Sequence, residues 1–168
     1  MIIHITMKNY ILTALIVCAS LSGIAQTKTA TLKVTGEVTT PLTLSLADLM
    51  AMPQITISKP DRDGGAHTYT GVALQDILAK AGATLGAQLR GENLTKYVLV
   101  SASDGYQVVF ALAEMDKDFL ERKLILAEQM DGKPLPDADG PFRIVVQDEK
   151  KLARNIKQVT EIKVAFAK

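Results

Sequence analysis

The chain has 168 residues, with 19 Lys and Arg against 18 Asp and Glu and a formal net charge of +1. That balance excludes a uniformly basic nucleic-acid binder, because phosphate contacts call for a surplus of Lys and Arg. Aromatic residues make up 5% of the chain and Trp is absent, so the core must be aliphatic, and a single cysteine excludes an intrachain disulfide.

Lys8-Asn9-Tyr10 leads into an apolar stretch from Ile11 to Leu21, then Ser22-Gly23-Ile24-Ala25 before Gln26. A basic start, a short apolar core and small residues at the −3 and −1 positions describe a secretory signal peptide over residues 1–25. The apolar run is shorter than the roughly 20 residues that cross a bilayer, so no membrane span is expected after cleavage. The expected location is the periplasm or the exterior. Cys18 follows Val17, whereas a lipid-modified cysteine follows a small residue, and Met7 suits the start of this leader. Cleavage would remove Lys8, Cys18 and no acidic residue, leaving one near-neutral, cysteine-free domain over 26–168 whose single histidine is His67.

Thr29 to Val38 alternates Leu32, Val34, Gly36 and Val38 with polar residues, the period of a half-buried strand. Ser45 stands three residues before Asp48, a capping pattern for a short helix through Ala51 that Pro53 ends. Gln54 to Ser58 is read as a second strand and Lys59 to Gly65 as a loop, by its Pro, Asp and Gly content. Calcium binding by Asp61 and Asp63 would require a glutamate at the twelfth loop position, where Val72 stands.

Val72 to Ala81 carries Leu74, Ile77, Leu78 and Ala81 at helical spacing, with Gly82 to stop it. Strands are expected at Tyr97 to Ser101 and Gln107 to Phe110, joined at Asp104-Gly105, with a helical turn over Ala111 to Met115. Leu124 to Met130 and Lys133 to Pro136 read as a hairpin about Asp131-Gly132. Phe142 to Val146 and Val159 to Phe166 complete the strands. Many short strands with a few short helices predict an α+β domain of mixed β-sheet layers.

Several segments also resemble a known family when taken in order. They are Thr35-Gly36-Glu37-Val38, Leu46-Ala47-Asp48-Leu49, Tyr69-Thr70-Gly71-Val72-Ala73-Leu74, Ser103-Asp104-Gly105-Tyr106, Met130-Asp131-Gly132-Lys133-Pro134-Leu135 and Gly140-Pro141-Phe142-Arg143. Their succession is similar to that of the oxidoreductase molybdopterin-binding domain family. The resemblance implies a sulfite-oxidase-type molybdopterin-binding fold and a molybdopterin cofactor whose phosphate needs cations.

In that family basic residues meet the phosphate in the region of Arg143, Lys150, Lys151 and Arg154. A planar guanidinium suits bidentate phosphate binding and a lysine suits a point-charge contact. The expected partner is thus a pterin or another small anionic ligand, together with a redox partner protein if electrons are transferred. Catalytic members carry a metal-holding cysteine in the stretch that corresponds to Thr56 to Tyr69. Here that stretch has none, and its nearest polar residue, Ser58, cannot replace a soft thiolate.

Asp104-Gly105 and Tyr106 are read as turn chemistry, and His67 as an exposed residue with too few neighbouring ligands for a metal. A Ser-His-Asp hydrolase is set aside because no Gly-x-Ser-x-Gly elbow is present. Two functions stay open: a secreted oxidoreductase-family protein that binds molybdopterin, and a non-catalytic accessory module that keeps only the fold and an anion pocket.

Overall fold

The structure, a computed structural model, describes residues 30–167. The signal peptide expected over 1–25 lies outside them.

The first sheet opens with β1 (Thr31–Gly36) and β2 (Leu42–Ser45), an antiparallel pair. The chain then makes the short helix α1 (Leu46–Met50). Its first turn is closed by the expected capping box: the Ser45 hydroxyl accepts the Asp48 N–H at 3.2 Å, and the Asp48 carboxylate accepts the Ser45 N–H at 2.8 Å. β5 (Lys96–Ala102), β6 (Gln107–Ala111) and β10 (Val159–Phe166) finish this sheet in the order β2-β1-β10-β5-β6, with β1 and β10 parallel.

The second sheet holds β3 (Gln54–Pro60), β4 (Ala66–Ala73), β7 (Leu124–Met130), β8 (Lys133–Pro134) and β9 (Arg143–Val146). β7 lies between β4 and the β8/β9 edge. Helix α2 (Leu74–Lys80) follows β4 directly and buries Leu74, Ile77 and Leu78.

Alternation along the strands assigns the two faces of the second sheet. Leu124, Leu126, Ile144 and Val146 join the main core, which they share with Leu32, Val34, Val98, Val100, Ile162 and Val164 of the first sheet. Ile125, Ala127 and Val145 point the other way, into a smaller cluster with Ile57 and Tyr69. A sheet buried on both faces explains the apolar runs Leu124 to Ala127 in β7 and Ile144 to Val146 in β9.

Most elements match the sequence pattern, including the hairpin at Asp131-Gly132, where both residues have positive φ (52° and 73°). Two strands do not. β2 is additional to the expected strands, and the helix expected from Val72 begins only at Leu74 because Ala66–Ala73 is β4. In β4, Gly71 permits close approach to β7. A Cβ there would lie 2.1 Å from the Leu126 carbonyl oxygen and 2.5 Å from the Ala127 Cα. The same crossing carries a β-bulge: Thr70 pairs with Gln129 and Gly71 with Ala127, which leaves Glu128 as the extra residue.

Gly71→Ala is therefore expected to cost about 3 kcal/mol or more, since backbone atoms must move. Gly105→Ala, with open space at a positive φ of 86°, is expected to cost about 1–2 kcal/mol. Urea unfolding of both variants checks this, and equal losses would show that the close approach is unimportant.

Candidate functional site

The β3–β4 turn, the β5–β6 turn and the segment between β9 and β10 meet at one end of the two sheets. Between them lies a cavity of about 270 Å³ whose polar lining is Arg62, Asp104, Tyr106, Arg143, Asn155 and Lys157.

Arg143 begins β9 and is 3% exposed. A buried guanidinium needs compensating charge, and Arg143 Nη1 donates to Asp61 Oδ2 at 2.7 Å, to Asp139 Oδ2 at 2.7 Å and to the Tyr69 hydroxyl at 3.0 Å. The guanidinium also lies 5.0 Å from the Tyr69 ring centroid. Tyr69 in turn donates its hydroxyl proton to Asp61, and Lys157 Nζ pairs with Asp139 Oδ1 at 2.5 Å.

The titration of these groups follows from that network. Burial works against ionisation of Asp61, but the hydrogen bonds from Arg143 and Tyr69 outweigh it and hold the carboxyl well below its ordinary value. Burial and the hydrogen bond to Asp61 push the Tyr69 phenol up. Burial opposes the Arg143 charge, yet the hydrogen bond to Asp61 and the surrounding negative charges keep it protonated.

The remaining walls are fixed by backbone. Asp104 Oδ1 accepts the Tyr106 N–H at 2.9 Å, an Asx turn, and Gly105 supplies the positive φ that follows. The Tyr106 hydroxyl reaches across to the Ala153 carbonyl at 3.1 Å and ties the β5–β6 turn to the 152–157 segment. That segment is stitched to β9: the Ile144 N–H donates to the Ile156 carbonyl, and the Val146 N–H donates to Asn155 Oδ1 at 2.8 Å.

Two buried donors among these lining residues have no acceptor among the described residues, Arg143 Nε and Asn155 Nδ2. Unsatisfied buried polar groups are uncommon, and an acceptor-rich ligand is one physical reason for them. Arg62 is exposed and forms no ion pair among the described residues, so its charge also remains available. A larger hollow of about 610 Å³ along Thr31, Lys33 and Glu161 lacks this feature. There Glu161 accepts from Thr35 at 2.7 Å, and Ser103 donates to Gln158 at 2.8 Å.

Of the four basic residues expected from sequence, only Arg143 lines the 270 Å³ cavity. Arg154 is engaged elsewhere: Glu149 holds it through Nε at 3.1 Å and Nη2 at 2.9 Å, Glu114 lies at 3.3 Å, and its guanidinium stacks 4.6 Å from the Phe110 ring centroid. Lys150 and Lys151 are exposed on the loop just before Leu152. Arg62 escapes a sequence reading because it comes from the β3–β4 turn while Asn155 and Lys157 come from the segment between β9 and β10, and only the fold brings them together.

His67 is more constrained than its sequence context implies. Its Nε2 lies 2.7 Å from Asp63 and its Nδ1 2.6 Å from Asp131. These hydrogen bonds, that to Asp131 first, raise its pKa to about 9. As an imidazolium it braces the β3–β4 turn that delivers Asp61 and Arg62. Ser58 shares its hydroxyl with Thr68 across the strands at 3.3 Å. Among the described residues no group of three or more His, Cys, Asp and Glu is arranged to hold a metal ion.

Residues 62–167 match the model of the oxidoreductase molybdopterin binding domain. The fold is similar to that in the crystal structure of the sulfane dehydrogenase SoxCD from Paracoccus pantotrophus, with a TM-score of 0.63 at 19% sequence identity. That alignment covers 80% of this chain and 38% of the other, so the present chain spans well under half of that neighbour's length. No curated protein matches the sequence.

Removing the central cation should leave Asp61 and Asp139 without their buried partner. Arg143→Ala is expected to destabilise the domain by about 3–5 kcal/mol, a loss that chemical denaturation measures directly. A change within about 0.5 kcal/mol would mean that the network does not organise this end of the fold.

Proposed function

The chain belongs to the oxidoreductase molybdopterin-binding domain family, and we propose that it binds a phosphate-bearing ligand of the pterin class, molybdopterin included, in the 270 Å³ cavity beside Arg143. The observation that carries this reading is the pair of buried donors, Arg143 Nε and Asn155 Nδ2, left without acceptors in residues that line the cavity. Phosphate oxygens are acceptors only, and charge-assisted hydrogen bonds to them are stronger than neutral ones.

The division of labour follows from the protein's own contacts. Asp61 and Asp139 fix the Arg143 plane through Nη1, leaving Nε for a ligand. Asn155 is oriented by the Val146 N–H on its Oδ1, leaving Nδ2 for the same purpose. Arg62 can close over the ligand from the β3–β4 turn, and the exposed Lys150 and Lys151 add positive charge on the adjoining loop. Exposed Tyr106 offers a ring face at the rim.

Molybdopterin, when bound, supplies a dithiolene pair that holds molybdenum. The protein's own contribution to such a metal does not match the family pattern, because residues 30–167 contain no cysteine. Hard oxygen donors do not substitute for a soft thiolate. The residues therefore fit the anionic part of the cofactor and not a thiolate-held metal, and no redox step is assigned to them. A binding or accessory role, after export directed by residues 1–25, agrees best with this donor set.

Inorganic pyrophosphate is a sufficient probe. Titration calorimetry should detect its binding to the wild-type protein, with a rise in Tm that grows with ligand concentration. Arg62→Ala should weaken it about tenfold, and Asn155→Asp, which keeps the acceptor for Val146, should weaken it at least as much. Unchanged affinity in Asn155→Asp would overturn the assignment.

A further inference from the structure

Glu128 is the extra residue of the β7 bulge, in a crossing that Gly71 allows. Bulges re-aim a side chain out of the strand's ordinary alternation. Here the result is a glutamate only 4% exposed, whose Oε2 has no hydrogen-bond partner among the described residues.

Other buried charges are compensated within the chain. Arg143 has Asp61 and Asp139, Lys59 donates to the Val146 carbonyl at 2.7 Å, and Asp116 accepts from the Gly86 and Asp118 N–H groups. Glu128 instead borders a second hollow of about 270 Å³, with Leu46, Pro134, Leu135 and Pro141 as apolar walls. Among the described residues the only other charged residue of that lining is Asp137, also acidic, and neither Lys, Arg nor His lines it. Burial raises the Glu128 pKa to about 7, outweighing a hydrogen bond with Gln54 that lowers it.

A buried carboxylate in an apolar hollow of wholly negative charge is complementary to a positive ligand with an apolar body. We propose that the hollow beneath the β7 bulge binds a small organic cation. Its ammonium group sits on the Glu128 carboxylate, and its short aliphatic body packs on Leu46, Leu135, Pro134 and Pro141. A metal ion is a poorer match, since one buried carboxylate supplies too few ligands. The ammonium could belong to a free amine or to a lysine side chain, which share this chemistry.

The test uses n-butylammonium as probe on the isotopically labelled protein, following the Glu128 side-chain carboxyl carbon by NMR. The expected result is a saturable shift of that signal with butylammonium and none with n-butanol, which has the same body and no charge. Glu128→Gln, nearly the same in shape, should lose the binding at least tenfold as read from the remaining signals around the hollow. The same variant should bind pyrophosphate as the wild type does, which separates this site from the Arg143 cavity.

Acetyl-lysine amide distinguishes the sources. Binding as tight as that of butylammonium assigns the site to a protein lysine, and binding of butylammonium alone assigns it to a free amine. Absence of a saturable shift, or equal butylammonium affinity in Glu128→Gln, overturns the proposal.

Discussion

A guanidinium buried between two carboxylates holds this end of the molecule together. Desolvating Arg143 alone would cost several kcal/mol, so the fold must bring Asp61 and Asp139 to it from separate loops. Asp61 arrives on the β3–β4 turn, and Asp139 stands four residues before Arg143 in the connection to β9. Tyr69 supplies both a hydroxyl and a ring face from β4. One ionic centre thereby fixes parts of the chain more than seventy residues apart, and the candidate ligand cavity is the space beside it.

The same polar economy separates the two hollows that carry functional readings. Around Arg143 the unmatched groups are donors in a setting that still offers Arg62, which favours an anion. Around Glu128 the unmatched group is an acceptor in a setting with no cation among the described residues, which favours the opposite charge. The Gly71 crossing links sequence to the second case: without a missing Cβ the bulge could not form at that separation, and Glu128 would not be displaced from regular alternation.

The sheets were legible in the sequence where one face is buried, because period-two alternation in β1 and β10 and the Asp-Gly turn after β7 are local signals. The cap of α1 was legible for the same reason, as Ser45 and Asp48 satisfy each other within one turn. β4 was obscured because its glycine serves a contact with β7 some fifty-five residues away, and sequence shows the glycine without the contact. Arg143 was recognisable as a cation at the head of an apolar strand, but its neutralisation by Asp61 and Asp139 is a tertiary event. Arg154 shares the local composition of a basic loop, yet Glu149, Glu114 and Phe110 fix its head away from the cavity. Family resemblance names a region of chain and cannot sort its side chains by direction.

The likeness to a much longer sulfane dehydrogenase shows a shared architecture. On the proposed reading, the clamp on Arg143 Nη1 leaves Nε and the neighbouring Asn155 Nδ2 for an anion. A high-resolution crystal structure of the protein with pyrophosphate tests it most directly. Phosphoryl oxygens are expected within hydrogen-bond distance of those two nitrogens, with Arg143 still bonded to Asp61 and Asp139. Pyrophosphate bound elsewhere, or both nitrogens bonded to protein acceptors, would contradict it.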